Sequence, residues 1–158
     1  MNTKTSRAAW VLAACMVCVP VWAQVKVEGA WARATVQGQK ATGAFMKLTA
    51  DKALKLVSVS SPAAGLAEIH EMKMDGGVMK MRAVPALDLP AQQAVELKPG
   101  GYHLMLMDLK TPLMKDASVS LTLTFRDAAG SETRQQVSLP VTTGMPQGQM
   151  PGAAQHKH

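Results

Sequence analysis

The sequence predicts an all-β domain, an antiparallel sandwich or a small barrel, followed by a polar tail. Three observations carry that prediction. Apolar residues recur at alternate positions in short runs, the period of a half-buried strand. Gly, Pro, Asp and Ser punctuate those runs at short intervals. Helical periodicity is scarce, and many short strands at such spacing favour sandwiches and barrels over layered α/β folds.

The candidate strands follow in order. Val25–Ala34, Ala44–Thr49 and Leu54–Ser60 come first, and Ser61-Pro62 closes the third. Ala67–Met74 and Val78–Ala83 flank Asp75-Gly76-Gly77, a strong hairpin signal because glycine supplies the positive φ that tight turns need. Ala94–Leu97 stops at Lys98-Pro99-Gly100-Gly101, after which Tyr102–Leu109 begins. Alternation puts His103, Met105, Met107 and Leu109 on one face of that strand, with Tyr102, Leu104 and Leu106 on the other. Ser118–Arg126 and Thr133–Val141 complete the set, joined by a turn from Asp127 to Gly130. No internal repeat is visible.

The two ends differ from this middle. Lys4 and Arg7 precede an apolar run from Ala8 to Val21, and Val21-Trp22-Ala23 offers a cleavage site, so residues 1–23 read as an export signal with Gln24 as the new start. The run is too short to span a bilayer comfortably, which takes roughly 20 residues. Leu12-Ala13-Ala14-Cys15 resembles a lipobox and would leave a lipid-anchored Cys15, but the apolar run continues past that cysteine, which favours simple cleavage. Residues 24–143 then form one domain, enough for a modest core. Residues 144–158, rich in Gly, Pro, Gln and Ala, have little to bury and read as a flexible tail.

Cleavage has a chemical consequence. Cys15 and Cys18 leave with the signal, so the mature chain carries neither disulfide nor thiolate. Losing Lys4 and Arg7 lowers the formal net charge from +6 to +4, spread along the chain. No basic stripe with interleaved aromatics marks a nucleic-acid partner. No nucleophile, base and orienting acid form a recognisable set, so the chain does not read as an enzyme. A blue-copper electron carrier needs a cysteine thiolate, which the mature chain lacks.

What the chain does carry is a sparse set of imidazoles and thioethers. Of its 4 histidines, His70 and His103 lie on predicted strands, and His156 and His158 end the tail. Met81 follows His70 across the hairpin, and Met105 shares a face with His103 at about 6.6 Å between Cα atoms. Thioether plus imidazole, without thiolate or carboxylate, suits Cu(I). The plainer reading is core packing, since methionine fills irregular gaps. That reading fits Met46 and extends to Met107 and Met114, while the histidines become satisfied polar groups at a sheet edge. Met72, Met74 and Met79 crowd the hairpin as packing or as an exposed soft rim.

The pattern His-x10-Met-x21-His-x-Met, here His70, Met81, His103 and Met105, resembles that of the PCu(A)C family of periplasmic copper chaperones. The surrounding stretches Ala30–Ala34, Ser60–Ala64, Glu68–Met72 and Leu97–Leu109 are similar too, over about Val27 to Val141. The resemblance implies a cupredoxin-like antiparallel β-sandwich with Greek-key connections. It also implies Cu(I) held by His70, Met81, His103 and Met105. It further implies delivery to the copper centre of cytochrome c oxidase, alongside a Sco-type thiol protein.

Such a ligand set is neutral, so it leaves the charge of Cu(I) uncancelled and should reject zinc. Each imidazole must be neutral to bind, so affinity should weaken as pH falls through the imidazole range. Met145, Met150, His156 and His158 suit an auxiliary copper site in the tail, the histidines for Cu(II) and the methionines for Cu(I). The competing functions are copper sequestration for tolerance and a structural β-sandwich module that binds no metal. Trp31, Arg33 and Tyr102 read as framework residues or as partner contacts.

Overall fold

The computed structural model describes residues 25–146, so the signal segment and most of the tail lie outside the described residues. Ten strands follow one another: β1 (Val25–Arg33), β2 (Ala41–Ala50), β3 (Leu54–Ser60), β4 (Ala64–Asp75), β5 (Val78–Ala83), β6 (Leu87–Leu89), β7 (Ala94–Leu97), β8 (Tyr102–Leu109), β9 (Ser118–Arg126) and β10 (Glu132–Thr142). All of the expected strands are present. The added one, β6, is Leu87-Asp88-Leu89, too short to display a period. β2 starts at Ala41 rather than Ala44, because Ala41-Thr42-Gly43 pairs with β8 despite carrying no large apolar side chain.

The hydrogen-bonded path runs β5-β4-β8-β2-β1-β10-β9-β3-β6, with β7 also on β2. It folds into two layers, β5-β4-β8-β2-β1 and β10-β9-β3-β6, whose non-sequential neighbours are the crossovers of a Greek-key sandwich. The layers meet at β1 and β10, which pair in parallel through Ala32↔Val141 and Arg33↔Thr142. This is one departure from an otherwise antiparallel strand set, together with a single parallel bridge, Ala50↔Ala91.

Between the layers lies an apolar core. Leu48, Leu104 and Leu106 enter it from one side and Leu56, Leu121, Leu123, Phe125 and Leu139 from the other, all fully buried. Each such side chain contributes about 1.5–3 kcal/mol relative to exposure. Met46 joins the core as expected. Met114 does not: it is exposed. Leu109 also departs from the alternation. Asp108 adopts a φ of +51°, and Leu109 is buried in the core instead of following Met107 on the outer face.

Candidate metal centre

Register explains which side chains meet. In β8, Leu104 and Leu106 face the core, so His103, Met105 and Met107 face outward. β4 lies antiparallel to β8 with His70 directly opposite His103 and Glu68 opposite Met105. Residues paired in this way share a face, so Glu68, His70, His103 and Met105 form a patch on the outer side of the sheet. β5 flanks β4 with Met81 opposite Met72, one step along from the His70↔Ala83 pair. Met81 is thus diagonal to His70, and its Sδ lies 3.4 Å from Nε2 of His103. The His70 and His103 rings are 5.9 Å apart, edge to face. The hairpin and the neighbouring strand therefore place all four expected residues in one neighbourhood, on a sheet face rather than at the end of the sandwich.

The hydrogen bonds fix what each imidazole presents. Nδ1 of His103 donates to the carbonyl of Gly101 at 3.0 Å. A carbonyl only accepts, so that nitrogen carries the proton and Nε2 keeps its lone pair towards Met81. Nε2 of His70 donates to the Glu68 carboxylate at 2.8 Å, which leaves Nδ1 as the bare nitrogen. That Nδ1 is buried and has no hydrogen-bond partner among the described residues. An unpartnered buried polar atom costs about 1–3 kcal/mol, so such a group needs a reason. A buried lone pair beside a second imidazole and thioethers fits a soft monovalent ion. Carboxylate or carbonyl support behind each ring is the usual second layer of a metal site.

The two ends of the cluster differ in access. His103 is 5% exposed and Met81 is 50% exposed. Behind His103 stands an aromatic wall: Phe45 lies 6.4 Å from it, and Trp31 lies 4.6 Å from Phe45. Gly43 makes room for that wall, since a Cβ there would come within 2.7 Å of the Phe45 ring. Arg33 sits over Phe45 at 5.6 Å from the ring centre. Trp31 is therefore framework, and Tyr102 packs against the core.

Beyond Phe45 lies a groove of about 410 Å³ that includes Trp31, Met46, Lys98, Pro99 and Met145 in its lining. Glu28 at this groove is held below the usual carboxylate range by its hydrogen bond with Lys26, with Lys47 adding to the effect. Met145 is thus the one tail candidate among the described residues. Met150, His156 and His158 lie outside them. Sequence reasoning missed Glu68 as a partner of His70, because a glutamate on a strand reads as surface charge. Among the described residues, no group of three or more His, Cys, Asp or Glu is placed to hold a metal.

The family model described as "Putative lipoprotein LpqE-like" matches residues 25–141. "Putative lipoprotein Lxx21020" of Leifsonia xyli subsp. xyli is 34% identical over 139 residues, covering 82% of this chain and 81% of that protein. The solution structure of Cu(I)-DR1885 from Deinococcus radiodurans is 31% identical, with a TM-score of 0.60, and the match covers 84% of this chain and 85% of that one. The copper-bound PCuAC domain from PmoF2 shares the fold at 23% identity and a TM-score of 0.61, over 77% of this chain and 95% of that domain. By sequence and by fold, the chain belongs to the LpqE-like, PCuAC-type family of cupredoxin-like β-sandwiches.

Proposed function

We propose that this protein is a copper chaperone that carries one Cu(I) between Nδ1 of His70, Nε2 of His103 and the thioethers of Met81 and Met105. The observation that carries the reading is the buried Nδ1 of His70, without a hydrogen-bond partner among the described residues, in a cluster whose other unprotonated nitrogen, Nε2 of His103, faces a methionine sulfur. The Cu(I) bound by the DR1885 structure, 31% identical to this chain, supports it. The Glu68 carboxylate behind His70 adds the negative charge that four neutral ligands lack. The uneven exposure suits hand-over. A thiolate acceptor approaches at Met81, displaces the exposed thioether first, and reaches the less exposed imidazoles last. Nothing in this sequence requires bond making in a substrate, so the role is binding and transfer without catalysis.

The proposed setting is the periplasm, after export and cleavage following Ala23. The lipoprotein names of the family and of the Leifsonia protein support export, and they keep anchoring at Cys15 as the alternative. The intact mass of the protein recovered from cells separates the two. The proposed recipient is the copper-centre subunit of cytochrome c oxidase, directly or with a Sco-type thiol protein.

The test is a Cu(I) competition titration against a chromophoric chelator, using the chain from Gln24 onward and its Met81→Ala, Met105→Ala double variant. One tight equivalent, lost in the variant, is expected; equal binding by both refutes the ligand set. Mixing the loaded protein with a soluble oxidase copper domain then distinguishes delivery from sequestration. Repeating the titration with Cu(II) on a chain ending at Thr143 tests the tail site, which predicts the loss of one equivalent.

A further inference from the structure

The β4–β5 hairpin has two unlike faces. One carries the ion pairs Glu71–Arg82 and Asp75–Lys80. The other carries methionine alone: Met72 is paired with Met81 and Met74 with Met79, directly across the strands. Both pairs share the face of His70, because residues two apart on a strand point the same way. Met74 is 60% exposed and Met79 43%. Four thioethers thus form a ladder from the hairpin tip to the Met81 sulfur that touches His103.

We propose that this ladder is a second, weaker soft-metal site, centred on Met74 and Met79 with Met72 behind them, where a monovalent d10 ion lands before moving to the buried donors. The inference rests on the copper reading above and extends it to the route of entry. Directly opposed side chains have Cβ atoms about 4.5–5.5 Å apart, and the flexible thioether arms let both sulfurs reach one ion. The next pair lies about 7 Å further along the strand, a step an ion can take by exchanging one sulfur at a time. A surface built for apolar docking would be served equally by leucine or isoleucine, yet every position on this face beyond His70 and Ala83 is methionine. With thioethers the only side-chain donors on that face of the hairpin beyond His70, the Met74 and Met79 pair should discriminate strongly against Zn(II).

The test is a titration of the chain from Gln24 onward, labelled with [methyl-13C]methionine, using Ag(I) as a redox-silent probe. The first equivalent should shift the Met81 and Met105 methyl signals. The second should shift Met74 and Met79, with Met72 following. In a Met74→Leu, Met79→Leu variant the exposed apolar surface is kept and the second equivalent should disappear while the first is unchanged. Zn(II) should move none of these signals. If Met74 and Met79 stay put beyond the first equivalent, or if the variant still takes up the second, the face is an apolar surface only and the proposal is wrong. If Met74 and Met79 respond but Met81 and Met105 do not, the hairpin site stands and the four-ligand reading fails instead.

Discussion

A neutral imidazole has two nitrogens, and here an acceptor behind each ring decides which one is offered. Gly101 claims Nδ1 of His103, and Glu68 claims Nε2 of His70. Removing the acceptor frees the ring to adopt the other tautomer and to rotate. Glu68→Ala is therefore expected to weaken Cu(I) binding by roughly 10–100-fold, the usual cost of losing such support, whereas Glu68→Gln keeps an acceptor and loses less. Competition titration of both variants reads the difference, and equal losses would assign the effect to charge rather than to orientation. The four proposed donors were legible in the sequence through the resemblance of the His-x10-Met-x21-His-x-Met pattern to the family, because spacing and alternation alone left core packing open. Glu68 was not, because its half-buried position beside His70 depends on a pairing register that one strand does not reveal.

At the level of elements, the β4–β5 hairpin is the least anchored part of the sheet. β5 is an edge strand, exposed at every one of its residues, and it pairs only with β4. Gly76 and Gly77 hold its turn at φ of +59° and +80°, a conformation that costs other residues about 1–2 kcal/mol each. A Gly76→Ala, Gly77→Ala variant should loosen this hairpin without unfolding the core. Hydrogen exchange should quicken in β5 and leave β9 unchanged, and Cu(I) affinity should fall because Met81 is carried on β5. Protection of β5 equal to wild type would show that β4 pairing alone sets its order. The hairpin was readable from Asp75-Gly76-Gly77, while β6 and the start of β2 were not. Both form strands through their neighbours rather than through their own apolar pattern.

For the whole molecule, support and site are separate. The core between the layers holds none of the proposed thioether ligands, and His103 alone of the proposed ligands is buried beside it. Phe125→Ala should therefore cost about 3–5 kcal/mol in urea unfolding, the usual price of a deleted core aromatic. Folded variant should still bind Cu(I) with unchanged affinity. A matching loss of affinity would mean that the outer face depends on core packing across the sheet. The sandwich itself was legible from strand count and turn chemistry. The parallel β1–β10 pair was not, because nothing local to either strand records the direction of a partner more than a hundred residues away.

That parallel pair gives the domain two poles. The chain enters at Val25 and leaves past Thr142, which lies level with Arg33, so entry and exit are roughly 25 Å apart along the strands. Following the register through β2, β8 and β4, the hairpin tip falls on the entry side. A protein attached to the N-terminal side would sit near the methionine face and crowd it. One attached on the C-terminal side would start from the other pole, although Met145 turns back to the groove beyond Phe45, which makes that side the better place for a fusion partner, a surface tether or a fluorescent reporter.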